Sequence, residues 1–348
     1  MNNTTNIQRT TTKRIEYVDA LRGVTMLMVV LNHSASYFWG ILQQDVPSFH
    51  RYFLLVRMPM FFFISGFLLY KKEVVWTMKH TLTFLKKKFL VQIIPTILFL
   101  LVFTYVFEHS FLETIKDPFK QGYWFTYTLF FYFLFYATTQ LIGCSSKLLI
   151  LMGLIFYPFL YINKLDIQNG FIKDIIGFVG VKQWTYFIFF VLGTITKKHF
   201  ERFQIIIDGK WLMTICIILF VILNAYIDLF PEIIQKTIIK LILSTTGVII
   251  LFAFFRRNQS IFAKSTQIGT ILQYIGKRTL DIYLIHYFLL PYNIIGHFTF
   301  FVDHPMPIVE LACSSILAVI ITAICLLISN FIRLSPFLAH YLFGVKNR

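Results

Sequence analysis

Arg22 and His33 sit eleven residues apart inside the apolar stretch LRGVTMLMVVLNHS. Eleven residues make about three helical turns, so both side chains project from one face, roughly 16 Å apart along the axis. A guanidinium grips phosphate through a planar fork of donors. A neutral imidazole takes a proton from a hydroxyl near neutral pH. One helix face thus offers an anion-binding cation at one level and a base further along. Asp19 lies three residues before Arg22, in position to pair with it, and Gly23 permits a close backbone approach. A second stretch, RMPMFFFISGFLLY, carries Arg57, Pro59, Ser65 and Gly66. Pro59 interrupts the hydrogen-bond ladder, and Ser65 with Gly66 makes a small-residue contact point. Neither explains Arg57, whose charge suits a developing oxyanion or an anionic sugar. Asp281, His286 and Arg333 complete the titratable residues within or near apolar runs. An arginine at the bilayer centre costs about 2.5–3.5 kcal/mol, so such residues face a bundle interior and pair or act. Arg333, close to the end of an apolar run, is expected to snorkel to the membrane surface.

The elements that must position these residues are membrane helices. Of the 348 residues 57% are hydrophobic and only 14% charged, where a soluble domain carries about a quarter. A mean hydropathy of +0.71 points the same way. The expected fold class is an all-α integral membrane bundle of about ten transmembrane helices. Apolar runs centre on 18–39, 51–70, 89–109, 122–142, 147–163, 184–197, 211–230, 235–255, 271–292 and 308–332. The domain reading is a tail at 1–16, a membrane domain over 17–335 and a tail at 336–348. The first run follows RTTTKR as a signal peptide's would, but its length and its internal Asp19 and Arg22 favour an uncleaved helix.

The net charge of +16 collects in short loops. Lysines and arginines concentrate on the side that holds the N-terminus and the 71–88 loop, with Lys71, Lys72, Lys79, Lys86, Lys87 and Lys88. Loop charge of this kind orients membrane proteins, so both termini are expected to be cytoplasmic, and nucleic acid is not an expected partner. Segment 71–88 is too polar to span. Val74, Val75, Met78, Leu82 and Leu85 recur at helical spacing, which predicts an amphipathic helix on the cytoplasmic surface; its sharper reading is a basic rim for an anionic substrate. Tyr123, Trp124 and Tyr127 are expected in the interfacial aromatic belt, the alternative being that they stack on a sugar ring. Cys144, Cys216, Cys313 and Cys325 have no metal-like spacing, and no metal is expected. No internal repeat or oligomerisation signal is evident.

Several of these residues carry a family resemblance. RIEYVDALRGVTMLMVVLNH followed by RMPMFFFISGF resembles the acyltransferase 3 family of integral membrane acyltransferases. The likeness includes an Arg-x10-His element at Arg22 and His33, and an Arg-x-Pro-x-Phe-Phe-x-x-Ser-Gly element from Arg57 to Gly66. IGKRTLDIYLIH resembles the family's Tyr-Leu-x-His element at Tyr283, Leu284 and His286, and Tyr123 to Phe125 a weaker aromatic one. Asp281 departs from the pattern, which has a small or hydroxyl residue there. The resemblance runs from Tyr17 to Ser335. It implies an acyl-CoA donor, most often acetyl-CoA, and a hydroxyl acceptor such as a cell-surface polysaccharide or a lipid-linked sugar. On this reading the chain is an O-acetyltransferase of the bacterial plasma membrane, among membrane lipids. Arg22, Asp19 and Ser65 would bind the donor. His33, Arg57 and His286 would carry the chemistry, with His33 as general base or transient acyl carrier. The rival reading is a transporter or flippase for an anionic or lipid-linked sugar; it leaves the Arg22 to His33 face without a specific reason.

Overall fold

The structure, a computed structural model, describes residues 14–42, 46, 48–162, 170–291 and 300–345. The expected tail residues 1–13 and 346–348 lie outside the described residues. All regular structure among those described is helical. Helix α1 spans Glu16–Trp39 and α2 His50–Leu69. Helix α3 runs Met78–Val106. Next come α4 Phe111–Lys116, α5 Trp124–Leu141, α6 Ser146–Ile162, α7 Gly170–Val179 and α8 Phe187–Lys198. They are followed by α9 Phe200–Asp208, α10 Lys210–Ala225 and α11 Glu232–Arg257. The last group is α12 Gln267–Lys277, α13 Thr279–Ile285, α14 Phe300–Asp303, α15 Pro307–Ile332 and α16 Pro336–Phe343.

Each apolar run of the sequence coincides with a helix, but the count of ten spans is not confirmed. Among the described residues four helices, α2, α3, α11 and α15, are long and apolar enough to cross a membrane; counting each bent pair as one span gives six. Helix α1 falls outside this group because Glu16, Asp19, Arg22, Asn32 and His33 lower its hydropathy. The run at 271–292 is broken between α12 and α13.

Helix α1 starts with Glu16 and Asp19 in its first turn, where they favour the positive end of the helix dipole. It stops at Gly40, which takes the left-handed conformation at φ 67°. Helices α2, α11, α12 and α15 all pack on it. Its tightest contact is with α12: a Cβ on Gly23 would strike the Leu272 carbonyl, and one on Gly276 the Asp19 carbonyl. Two glycines thus let the backbones touch, and this sets the height of Arg22 against α12 and α13. Helix α2 lies on α8, with Gly66 against the Phe190 backbone. At the opposite end of α2, His50 Nε2 stands 2.6 Å from Glu310 Oε1 of α15. Both side chains are almost wholly buried, and Ser48 and Ser314 donate to the same carboxylate at 2.9 and 2.8 Å.

Segment 71–88 corrects the surface-helix expectation. Residues 71–77 are not helical, and the helix that begins at Met78 continues through a π-turn at Phe89–Ile93 into the apolar part of α3. Met78 and Leu82 are exposed, while Thr81 is buried and Phe84 and Lys88 turn inward. Arg333, expected to snorkel, makes two 2.9 Å bonds to Asp281. Arg278 and Ser329 complete the carboxylate's shell at 3.2 and 2.5 Å. Asp281 therefore anchors α13 to α15.

Candidate active site

One cavity of about 650 Å³ opens between α1, α2, the start of α3, α5 and α13. Arg22 and His33 line it from α1, Arg57 and Ser65 from α2. Lys71, His80, Lys87 and Lys88 bring the 71–88 segment to its wall, and Thr279, Tyr283 and Tyr287 of the last helical arm close it. Among the described residues no Asp or Glu lines it, so the permanent cations Arg22 and Arg57 and the lysines meet no described carboxylate within the cavity. Such a wall raises the local concentration of an anionic ligand.

Arg22 Nη2 donates to Thr279 Oγ1 at 2.9 Å. The expected ion pair with Asp19 is present at 4.0 Å, and the same carboxylate lies closer to Arg14, at 2.5 Å. Asp19 is buried and off the cavity wall. The guanidinium of Arg22 is thereby left available to the cavity. Arg57 lines the cavity, and its Nε is buried with no hydrogen-bond partner among the described residues. The Ser65 hydroxyl already donates to the Phe61 carbonyl at 2.8 Å, an ordinary back-bond within the helix.

His33 is partly exposed and lines the cavity. Its Nε2 lies 3.2 Å from the Tyr287 hydroxyl. The His286 ring centre is 5.4 Å from that of His33, yet His286 is fully buried and off the cavity wall. His286 Nδ1 points at the Ile282 and Tyr283 carbonyls at 3.0 and 2.9 Å. Carbonyl oxygens only accept, so that nitrogen carries the proton, and Nε2 keeps an unpartnered lone pair. Arg22, His33, Arg57 and Ser65 therefore meet at one cavity; Asp19 and His286 stand behind its wall.

The aromatic-belt expectation is overturned for Tyr123 and Tyr127. Both are buried, and Tyr123 donates to the Leu284 carbonyl at 2.9 Å, whereas Trp124 lines the cavity. The turn before Tyr123 is a feature that sequence reasoning missed. Lys120, Gln121 and Gly122 all have positive φ, at 48°, 51° and 99°. The buried Lys120 ammonium holds this turn by donating to the Asp117 and Gly177 carbonyls at 3.0 and 2.9 Å. Burial pulls its pKa down to about 8, opposed by the Asp117 carboxylate. The turn delivers the Gly122 carbonyl to two tyrosines, Tyr283 at 2.9 Å and Tyr287 at 3.2 Å. Their i, i+4 spacing was the available signal.

Among the described residues, then, a cavity within a helical bundle brings two arginines, three lysines and His33 to one wall. The chain belongs to the acyltransferase 3 family: the family model, described as an acyltransferase domain, matches residues 15–327, nearly the whole chain. It is therefore a membrane acyltransferase. No curated protein and no solved structure matches it. The transporter reading gains no support from the comparisons.

Proposed function

We propose that the protein transfers an acyl group, acetyl in the first instance, from cytoplasmic acyl-CoA to a hydroxyl of a cell-surface polysaccharide or lipid-linked sugar. The observation that carries this reading is the cavity that joins Arg22 and the lysines to His33 and Arg57 with no carboxylate among the described residues of its wall. Arg22, with Lys87 and Lys88, attracts the donor's phosphates. The pantetheine arm extends along the α1 face and brings the thioester to His33. His33 takes the proton of the acceptor hydroxyl, whose oxygen bonds to the thioester carbon. The C–S bond breaks, and the CoA thiolate leaves and takes that proton back. Arg57 faces the negative charge that develops on the carbonyl oxygen. A transient acyl-His33 that is then attacked by the acceptor is the other course open to the same residues. The family membership and the loop charge support a bacterial plasma membrane setting with both termini cytoplasmic.

The test uses membranes incubated with radiolabelled acetyl-CoA and cell-surface glycan, with wild type, His33→Ala and Arg22→Ala at equal expression. Label enters glycan in wild type and is lost with His33→Ala. With Arg22→Ala the donor KM rises more than kcat falls. Transfer that survives His33→Ala removes His33 as the essential base.

A further inference from the structure

A histidine base is held in its working tautomer by whatever its other ring nitrogen bonds. In the serine-protease triad that partner is a carboxylate. Here no Asp or Glu among the described residues lines the cavity, and His33 Nε2 meets the Tyr287 hydroxyl at 3.2 Å. The same hydroxyl stands 3.2 Å from the Gly122 carbonyl oxygen. A carbonyl only accepts, so the bond to Gly122 uses the one hydrogen that Tyr287 has. Tyr287 Oη then faces His33 as an acceptor, and the hydrogen between them belongs to Nε2. The lone pair of neutral His33 is left on Nδ1.

The surroundings favour this direction. Tyr283, one turn before Tyr287, receives the Phe125 amide at 3.1 Å and donates to the same Gly122 oxygen at 2.9 Å. Both lone pairs of that oxygen are thus addressed by phenols on one helix face. Gly122 stands at φ 99°, and a Cβ on it would overlap the Tyr287 ring. Three consecutive residues in the left-handed region hold the carbonyl there, and backbone in that region costs of order 1–3 kcal/mol per non-glycine residue.

We infer that Tyr287 is the positioning residue of His33, forming with the Gly122 carbonyl a carboxylate-free relay that makes Nδ1 the nitrogen that takes the acceptor's proton. The inference rests on His33 being the base of the proposed reaction. In the step, the acceptor's proton moves to Nδ1 as its oxygen bonds to the thioester carbon and the C–S bond breaks. The imidazolium donates from Nε2 to Tyr287 and gives its Nδ1 proton to the departing thiolate. Tyr287 keeps its own proton throughout.

The experiment compares wild type, Tyr287→Phe, Gly122→Ala and His33→Ala in two readouts. The first is the side-chain nitrogen NMR spectrum of protein labelled with 15N-histidine, with the His33 signals assigned by their loss in His33→Ala. Wild type shows Nε2 protonated and Nδ1 bare, and Tyr287→Phe shows a mixture of tautomers. The second is transfer from radiolabelled acetyl-CoA to glycan. Tyr287→Phe lowers kcat by at least about tenfold, within the roughly 10²–10⁴-fold that a general base supplies, with donor KM unchanged. Gly122→Ala, which keeps the phenol but displaces its ring, reproduces both effects. A wild-type spectrum with the proton on Nδ1 overturns the relay. So does a Tyr287→Phe protein with wild-type kcat and unchanged His33 signals while His33→Ala is inactive. Activity in His33→Ala defeats the base assignment itself, a separate result.

Discussion

Arg57 is a permanent cation in an apolar bundle, and among the described residues no carboxylate faces it across the cavity. Its buried Nε finds no hydrogen bond among the described residues. A group left in that state costs stability, roughly 1–3 kcal/mol for an unsatisfied buried donor and more with charge. Such a cost is tolerated where a ligand completes the site. Arg57→Met should therefore raise the thermal midpoint of the purified protein while it lowers kcat for acyl transfer; a variant less stable than wild type would show that the guanidinium is structurally satisfied. The spacing of Arg22 and His33 was legible in the sequence because helical periodicity alone puts them on one face. The partner of His33 was not, since Tyr287 lies 254 residues away and a phenol carries no charge to draw attention. The i, i+3 pairing of Asp19 with Arg22 was legible and is present, at 4.0 Å; the closer approach of Arg14 to the same carboxylate was not.

At the level of elements, the turn before α5 is held by a buried lysine. Lys120 is 1% exposed, and its ammonium bonds two backbone carbonyls with no carboxylate in the pair. Its pKa in the folded protein is about 8, below the ordinary 10.5. Below pH 8 both folded and unfolded chains carry the proton, and the cost of burying the charge is present in full. Between pH 8 and 10.5 the unfolded chain binds more protons, so stability rises with pH. Across that window wild type should gain as much as roughly 3 kcal/mol relative to Lys120→Met, read as a converging or crossing pair of thermal midpoints. A constant difference from pH 8 to 10.5 would show that Lys120 titrates normally. None of this turn was legible, because a left-handed Lys and Gln have no composition signal. The apolar runs were legible as helices. The 71–88 segment was read correctly as helical in its second half and wrongly as a separate surface element. The triple lysine at 86–88 hides a continuous helix whose inward face carries Thr81, Phe84 and Lys88.

For the whole molecule, the governing feature is the charge of one cavity. Its wall holds Arg22, Arg57, Lys71, Lys87 and Lys88 and, among the described residues, no acid. Attraction of a polyanionic donor to such a wall is screened by salt, with a Debye length falling from about 10 Å at 0.1 M to 3 Å at 1 M. Donor KM should rise with sodium chloride between these limits while kcat changes little, and the Lys87→Gln, Lys88→Gln double variant should flatten the slope. A salt-independent KM would place the donor elsewhere. The sequence showed the excess of positive loops but assigned it chiefly to membrane orientation. Only the folded chain shows that part of the charge is turned inward.

The same wall meets the donor before and after reaction. Loss of an acetyl group leaves every phosphate of the carrier in place, so the cations that recruit the loaded molecule hold the spent one nearly as firmly. Interactions that are equal on both sides of a reaction do nothing for its chemical step. On the proposed reading, free CoA therefore competes with the loaded carrier for the same wall, and the cell's ratio of acetylated to free carrier becomes the control on how fast the surface is decorated.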